Sequence, residues 1–117
     1  MQWYIHEILE FISILFLIAA QNGWSEIARI LLTAKKINVN YKDLHANTAL
    51  HLAAQNGQLG VAEHLIEAGA NLNAPNAHKH IPLHLAAQNG HMPMTKVLVD
   101  GGSDLNFPDL IGMYLYE

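Results

Sequence analysis

Histidine is the residue type in this chain best suited to chemistry, with eight among 117 residues and no cysteine. His51 and His84 each sit inside an identical Leu-His-Leu-Ala-Ala-Gln-Asn-Gly stretch, and His78-Lys79-His80 leads into His84. Imidazole serves as a general base or a zinc ligand, so His78, His80 and His84 can be drawn as a metal constellation. Yet His78 and His80 fall in a polar turn whereas His84 belongs to a helix start, and no carboxylate or thiolate stands by to complete a ligand set. No Ser/His/Asp arrangement, paired carboxylate or Gly-rich phosphate loop has the spacing that a mechanism needs. The sequence predicts no enzyme, no metal and no cofactor or small-molecule substrate.

Charge narrows the partners. The net charge is −4 with six Lys and Arg in total, and Lys35-Lys36 is the one adjacent basic pair. Neutralising phosphates requires a clustered basic face, so no nucleic-acid partner is expected. The lack of cysteine excludes disulfides and fits a reducing compartment. A cytoplasmic, intracellular chain is the expectation, with a secreted effector as the alternative.

The elements that hold these histidines recur. Thr48-Ala49-Leu50-His51-Leu52-Ala53-Ala54-Gln55-Asn56-Gly57 returns as Ile81-Pro82-Leu83-His84-Leu85-Ala86-Ala87-Gln88-Asn89-Gly90, and its second half appears earlier as Ala19-Ala20-Gln21-Asn22-Gly23. His51 to His84 and Gly57 to Gly90 are 33 residues apart, while Gly23 to Gly57 is 34. A fixed period in this range marks a stacked repeat array. With its T-A-L-H-L-A and I-P-L-H-L-A signatures, the chain resembles the ankyrin repeat family over about residues 14–113.

The resemblance implies an all-α, helix-turn-helix repeat solenoid with right-angle hairpin turns between repeats. One domain is expected over 1–117: a degenerate first repeat (1–42), repeats at 43–75 and 76–108, and a truncated stub (109–117). Within it, helices are expected at 5–22, 25–34, from 49 to Gly57, 61–68, and from Pro82 and Pro93 onward. Thr48 is a helix cap, Ser25 a candidate cap, and each Pro a first helical residue. Three-and-four spacing turns Ile5, Ile8, Leu9, Ile12, Leu15, Phe16 and Ala19 inward, with Ile27, Ile30 and Leu31 inward on the return helix. For His51 and His84 the resemblance implies a structural role, bonding the turn and the neighbouring repeat.

Two departures stand out. The turn position that is usually Gly is Ala46 and Lys79 here, and forcing φ > 0 on either strains the backbone. Neither end looks capped, although a terminal repeat needs a polar outer side. Residues 11–18 and Tyr114-Leu115-Tyr116 are apolar instead, which predicts a piece of a longer array or self-association through the ends. Residues 11–20 are too short to span a bilayer, which needs roughly 20 apolar residues, and no basic start marks a leader. A membrane-attached or secreted regulator that uses residues 5–20 as its anchor is nevertheless the alternative class.

The expected partner is another protein, bound through hairpin tips and the concave helix surface. Carried over by position, the contact residues are Leu44, His45, Asn47, Gln55 and Asn56 in the second copy and Ala77, His78, His80, Gln88 and Asn89 in the third. Leu110, Ile111 and Met113 stand in the stub. The tip histidines predict binding that changes between about pH 5.5 and 7.5. Asn40, Asn73 and Asn106 resemble the turn asparagines that an asparaginyl hydroxylase modifies.

Overall fold

In a computed structural model, which describes residues 2–34 and 37–106, six helices follow one another: α1 (Gln2–Asn22), α2 (Ser25–Thr33), α3 (Ala49–Asn56), α4 (Leu59–Glu67), α5 (Pro82–Gln88) and α6 (Met92–Asp100). No strand occurs among the described residues. The first helices of the pairs stack as α1, α3, α5, and the second as α2, α4, α6. Two layers result, with the core between them and between successive pairs.

The repeat register explains the core. Phe16, Leu50 and Leu83 occupy equivalent positions and are buried, as are Leu65 and Leu98 in the second layer. Ala19, Ala53 and Ala86, at another shared position, are 0% exposed, because the small side chain lets neighbouring first helices approach closely. At Gly60 the approach is so close that a Cβ would stand 2.6 Å from the Ser25 hydroxyl. Helix ends follow the sequence signals. Thr48 is extended and caps α3, and Gly57 stops it at φ 69°, a left-handed conformation that glycine adopts without penalty.

The structure corrects several sequence expectations. In α1 the buried side is Ser13, Phe16, Leu17 and Ala20 with Ala19, while Ile5, Ile8 and Leu15 of the expected inward stripe are exposed. A helix apolar all round fits two stripes equally well, and contact with α3 decides between them. Ser13 is tolerated on that side because its hydroxyl donates to the Leu9 carbonyl at 2.9 Å. In α2, Ala28 is buried whereas Ile27 and Ile30 are exposed and Leu31 half-buried. Ser25 is the first helical residue rather than the cap, a position taken by Trp24 without a side-chain bond. α4 begins at Leu59, and Pro93 is the second residue of α6, where its missing N–H still costs no intrahelical bond.

Ala46 and Lys79 do adopt positive φ, 61° and 65°. A left-handed non-glycine residue costs about 1–2 kcal/mol, and glycine returns about 0.4–1 kcal/mol as unfolded-state entropy. Lys79 is exposed and gives up no packing. Lys79→Gly is therefore expected to stabilise the fold by roughly 0.5–1 kcal/mol. A urea melt in which K79G unfolds at or below the wild-type midpoint contradicts this.

Candidate partner-binding surface

Each hairpin tip is built by one side chain at its base. The Asp43 carboxylate accepts from His45 N (2.8 Å) and Asn47 N (2.9 Å), and the Asn76 side-chain oxygen does the same for His78 N (2.9 Å) and His80 N (3.0 Å). Asp43 and Asn76 occupy the same repeat position, so the two tips share one Asx-type geometry. The tips are also tied to each other. Asn76 Nδ2 donates to Asn47 Oδ1 at 2.9 Å, and Ala77 N donates to the His45 carbonyl at 2.9 Å. A partner therefore meets a surface already ordered, which lowers the entropy lost on binding.

His51 locks the second tip from below. The Thr48 N–H can only donate, so His51 Nδ1, 3.1 Å away, must carry a lone pair. Its proton is then on Nε2, which donates to the His80 carbonyl at 2.9 Å. One buried ring thus joins the helix start of its own repeat to the tip of the next, the structural role implied by the resemblance. His84 Nδ1 accepts from Ile81 N at 2.9 Å in the same manner. Ile81 has no side-chain oxygen, so this helix start keeps only that half of the reciprocal cap that Thr48 and His51 make.

Burial pushes the His51 imidazole below its ordinary value of 6.5, with the His80 carbonyl pulling in the opposite direction. Because the folded value is the lower one, the unfolded chain binds more protons below 6.5. This stability is complete above that pH and is lost as pH falls through 6.5 towards the folded value. The expected outcome is a urea midpoint lower at pH 5.5 than at pH 7.5. Equal midpoints would mean that His51 does not resist protonation.

The helix-edge pairs divide their work. Asn22, Asn56 and Asn89 each donate to the carbonyl four residues back, at 2.9, 3.1 and 2.8 Å, securing the last turn of their own helix. That gives a structural reason for the recurrent Asn. Gln55 and Gln88 are exposed. The Gln55 carbonyl meets His91 Nε2 at 2.9 Å, and the Gln21 carbonyl accepts from Gln58 Nε2 at 3.1 Å, so the cap residues of α4 and α6 reach back to the preceding repeat. The turn asparagines stitch repeats as well: Asn40 Oδ1 accepts from Asn71 N (2.8 Å) and Asn73 Oδ1 from Asp104 N (2.7 Å).

Of the sequence-predicted contacts, Leu44, His45, Gln55, Asn56, Ala77, His78, Gln88 and Asn89 lie exposed. Asn47 and His80 are half-buried, the first tied to Asn76 and the second with its ring 5.4 Å from that of His84. Leu110, Ile111 and Met113, with Tyr114-Leu115-Tyr116, fall outside the described residues. Sequence reading missed a cleft of about 340 Å³ beside the first tip, lined by Glu10, Ile14 and Leu17 of α1 and by Tyr41–Leu44. It arises because α1 runs on past the length of its counterparts, and nothing in the repeat pattern announces that overhang.

Comparison with known proteins agrees with this architecture. The profile for "Ankyrin repeats (3 copies)" matches residues 9–76, and that for "Ankyrin repeat" matches 78–110. Alpha-latroinsectotoxin-Lt1a from Latrodectus tredecimguttatus is 38% identical over 55 residues, 47% of this chain but 4% of the toxin. This chain thus spans a small fraction of that protein's length. Ankyrin repeats are generally protein-interaction modules and typically non-catalytic. With paired helices in two stacked layers, the recurrent Leu-His-Leu-Ala-Ala and matches from residue 9 to residue 110, this chain belongs to the ankyrin repeat family.

Proposed function

We propose that the chain recognises a partner protein through the two tied hairpin tips and the cleft beside the first, without catalysing a reaction. The observation behind this reading is Leu44. It is 100% exposed at the crest of a hairpin that Asp43 pins in place, with an apolar-floored cleft at its side. A leucine held fully in water on an ordered backbone gains by being covered, and a partner side chain entering the cleft gains in the same way. His45 and His78 add exposed imidazoles to the same surface. Differences between the tips then govern selectivity.

The test uses a photo-crosslinking residue at Leu44 and, as a control, at Glu63, exposed on α4. A protein captured from position 44 but not from 63 is then offered to a Leu44→Asp, His45→Ser, His78→Ser variant. At least tenfold weaker binding with an unchanged melt is expected. His80 is left intact because its carbonyl holds His51. Undiminished binding by the triple variant would refute the tip surface.

A further inference from the structure

The first repeat departs from the others at the edge where it meets the second. Residues 9–13 take the place of the hairpin tip at 43–47, yet they are helical, as part of α1. Ile14 stands where Thr48 caps α3, and Leu17 where His51 reaches the next tip. Leucine has no nitrogen to offer the Asn47 carbonyl, the counterpart of the His80 carbonyl that His51 holds. Two polar ties are thus exchanged for an apolar floor, and the cleft of about 340 Å³ lies over it. Its other wall is Tyr41–Leu44, so it opens between two repeats and not at an end of the stack.

The helical wall is acidic. Glu10 lines the cleft, and Glu7, one turn earlier, lines an adjoining hollow with Glu10 and Ile14. Both carboxylates are exposed. Neither is paired among the described residues, where Arg29 with Glu26 is the one ion pair. On the opposite wall the Asp43 carboxylate is held by two backbone N–H groups. Lys42, the single cation lining the cleft, stands on that wall as well and leaves the α1 side purely acidic.

We propose that the cleft takes one apolar side chain from a basic protein segment, with a neighbouring lysine or arginine set against Glu10 and Glu7; this names the partner chemistry of the tip surface and rests on that surface being the binding site. Ile14 is 47% exposed and Leu44 100%. A leucine or phenylalanine entering between them removes apolar area from water on both sides. At about 340 Å³ the cleft lies near the lower end of ligand pockets, which suits a single anchor side chain. Unpaired carboxylates beside it draw in a cation and speed association, and like charge turns away an acidic segment. Anionic headgroups meet the same repulsion, since α1 carries no Lys or Arg.

The test pans a displayed library of random short peptides on the full chain. Enriched peptides are then measured by fluorescence anisotropy against wild type, Leu44→Asp, Ile14→Ser and the double variant Glu7→Lys, Glu10→Lys, each checked for an unchanged melt. Peptides with Lys or Arg beside an apolar residue should dominate. The double variant should weaken them about fivefold or more and flatten their salt dependence. Exchanging the basic residues of the peptide for Glu should restore binding to the double variant, a rescue that a folding defect cannot mimic. Enriched peptides that need Leu44 and Ile14 but carry no basic residue, or that bind the double variant as well as wild type, overturn the proposal and leave the tip surface standing. Basic peptides that need Glu10 and Ile14 but not Leu44 support the cleft and remove the tip crest. Peptides indifferent to all of these changes, or no enrichment, overturn both.

Discussion

Leu65→Ala is expected to remove about 3–4 kcal/mol of stability, within the range for buried leucines. Leu65 is fully buried in α4, the second helix of the middle repeat, which packs against both α2 and α6. A stacked array derives its stability from intrinsic repeat terms plus nearest-neighbour interfaces, and a cavity at this site weakens both interfaces of the central unit. Set against a total of roughly 5–15 kcal/mol, the loss leaves a measurable unfolded fraction at room temperature or just above it. Leu31, the equivalent residue of the first repeat, is only half-buried. Leu31→Ala should cost less than half as much. Urea melts of both variants decide the point, and equal losses would rule out a core shared along the stack.

The contrast between these two leucines also shows how far the sequence could be read. The period, the helix pairs and their ends were legible, because each rests on local chemistry: Thr48 capping, Gly57 turning left-handed, Ala53 and Ala86 allowing close approach. The strain at Ala46 and Lys79 was legible for the same reason, as the position of each within the tip requires positive φ. Which side of α1 faces inward was not. Its apolar residues surround the helix, and only the position of α3 selects Ser13 and Leu17, beside the expected Phe16 and Ala19, over Ile8 and Leu15. The outward Ile27 and Ile30 belong to the same case, since the sequence pattern of an inner repeat reads the same whether or not a neighbour covers it.

At the candidate surface, the family resemblance placed Leu44, His45 and His78 on exposed tips but could not distinguish contact residues from internal ties. Asn47 is spent on Asn76, and Asn56 and Asn89 on their own helices. Those bonds depend on side-chain direction, which periodicity does not encode. The cleft beside Leu44 depends on the overhang of α1, a departure from the repeat rather than part of it.

His51→Ala is the second large effect, expected at about 2–4 kcal/mol although the residue is polar and removes little apolar area. The ring accepts from Thr48 N and donates to the His80 carbonyl. Truncation leaves both groups without that partner, and a buried group left unsatisfied costs about 1–3 kcal/mol. Thr48→Ala alone loses one cap, worth about 1 kcal/mol. Because Thr48 and His51 hold each other, the double variant should lose less than the two single losses combined, with a coupling of at least 0.5 kcal/mol. Removing the ring also cuts one of the ties between the second repeat and the tip of the third, so hydrogen exchange at His78 N and His80 N should accelerate more than at His45 N. The acid-side loss of stability between pH 7.5 and 5.5 should shrink in the same variant, since the proton-resisting imidazole is gone. Additive single and double losses, together with an unaltered pH dependence, would reduce His51 to a space-filling residue.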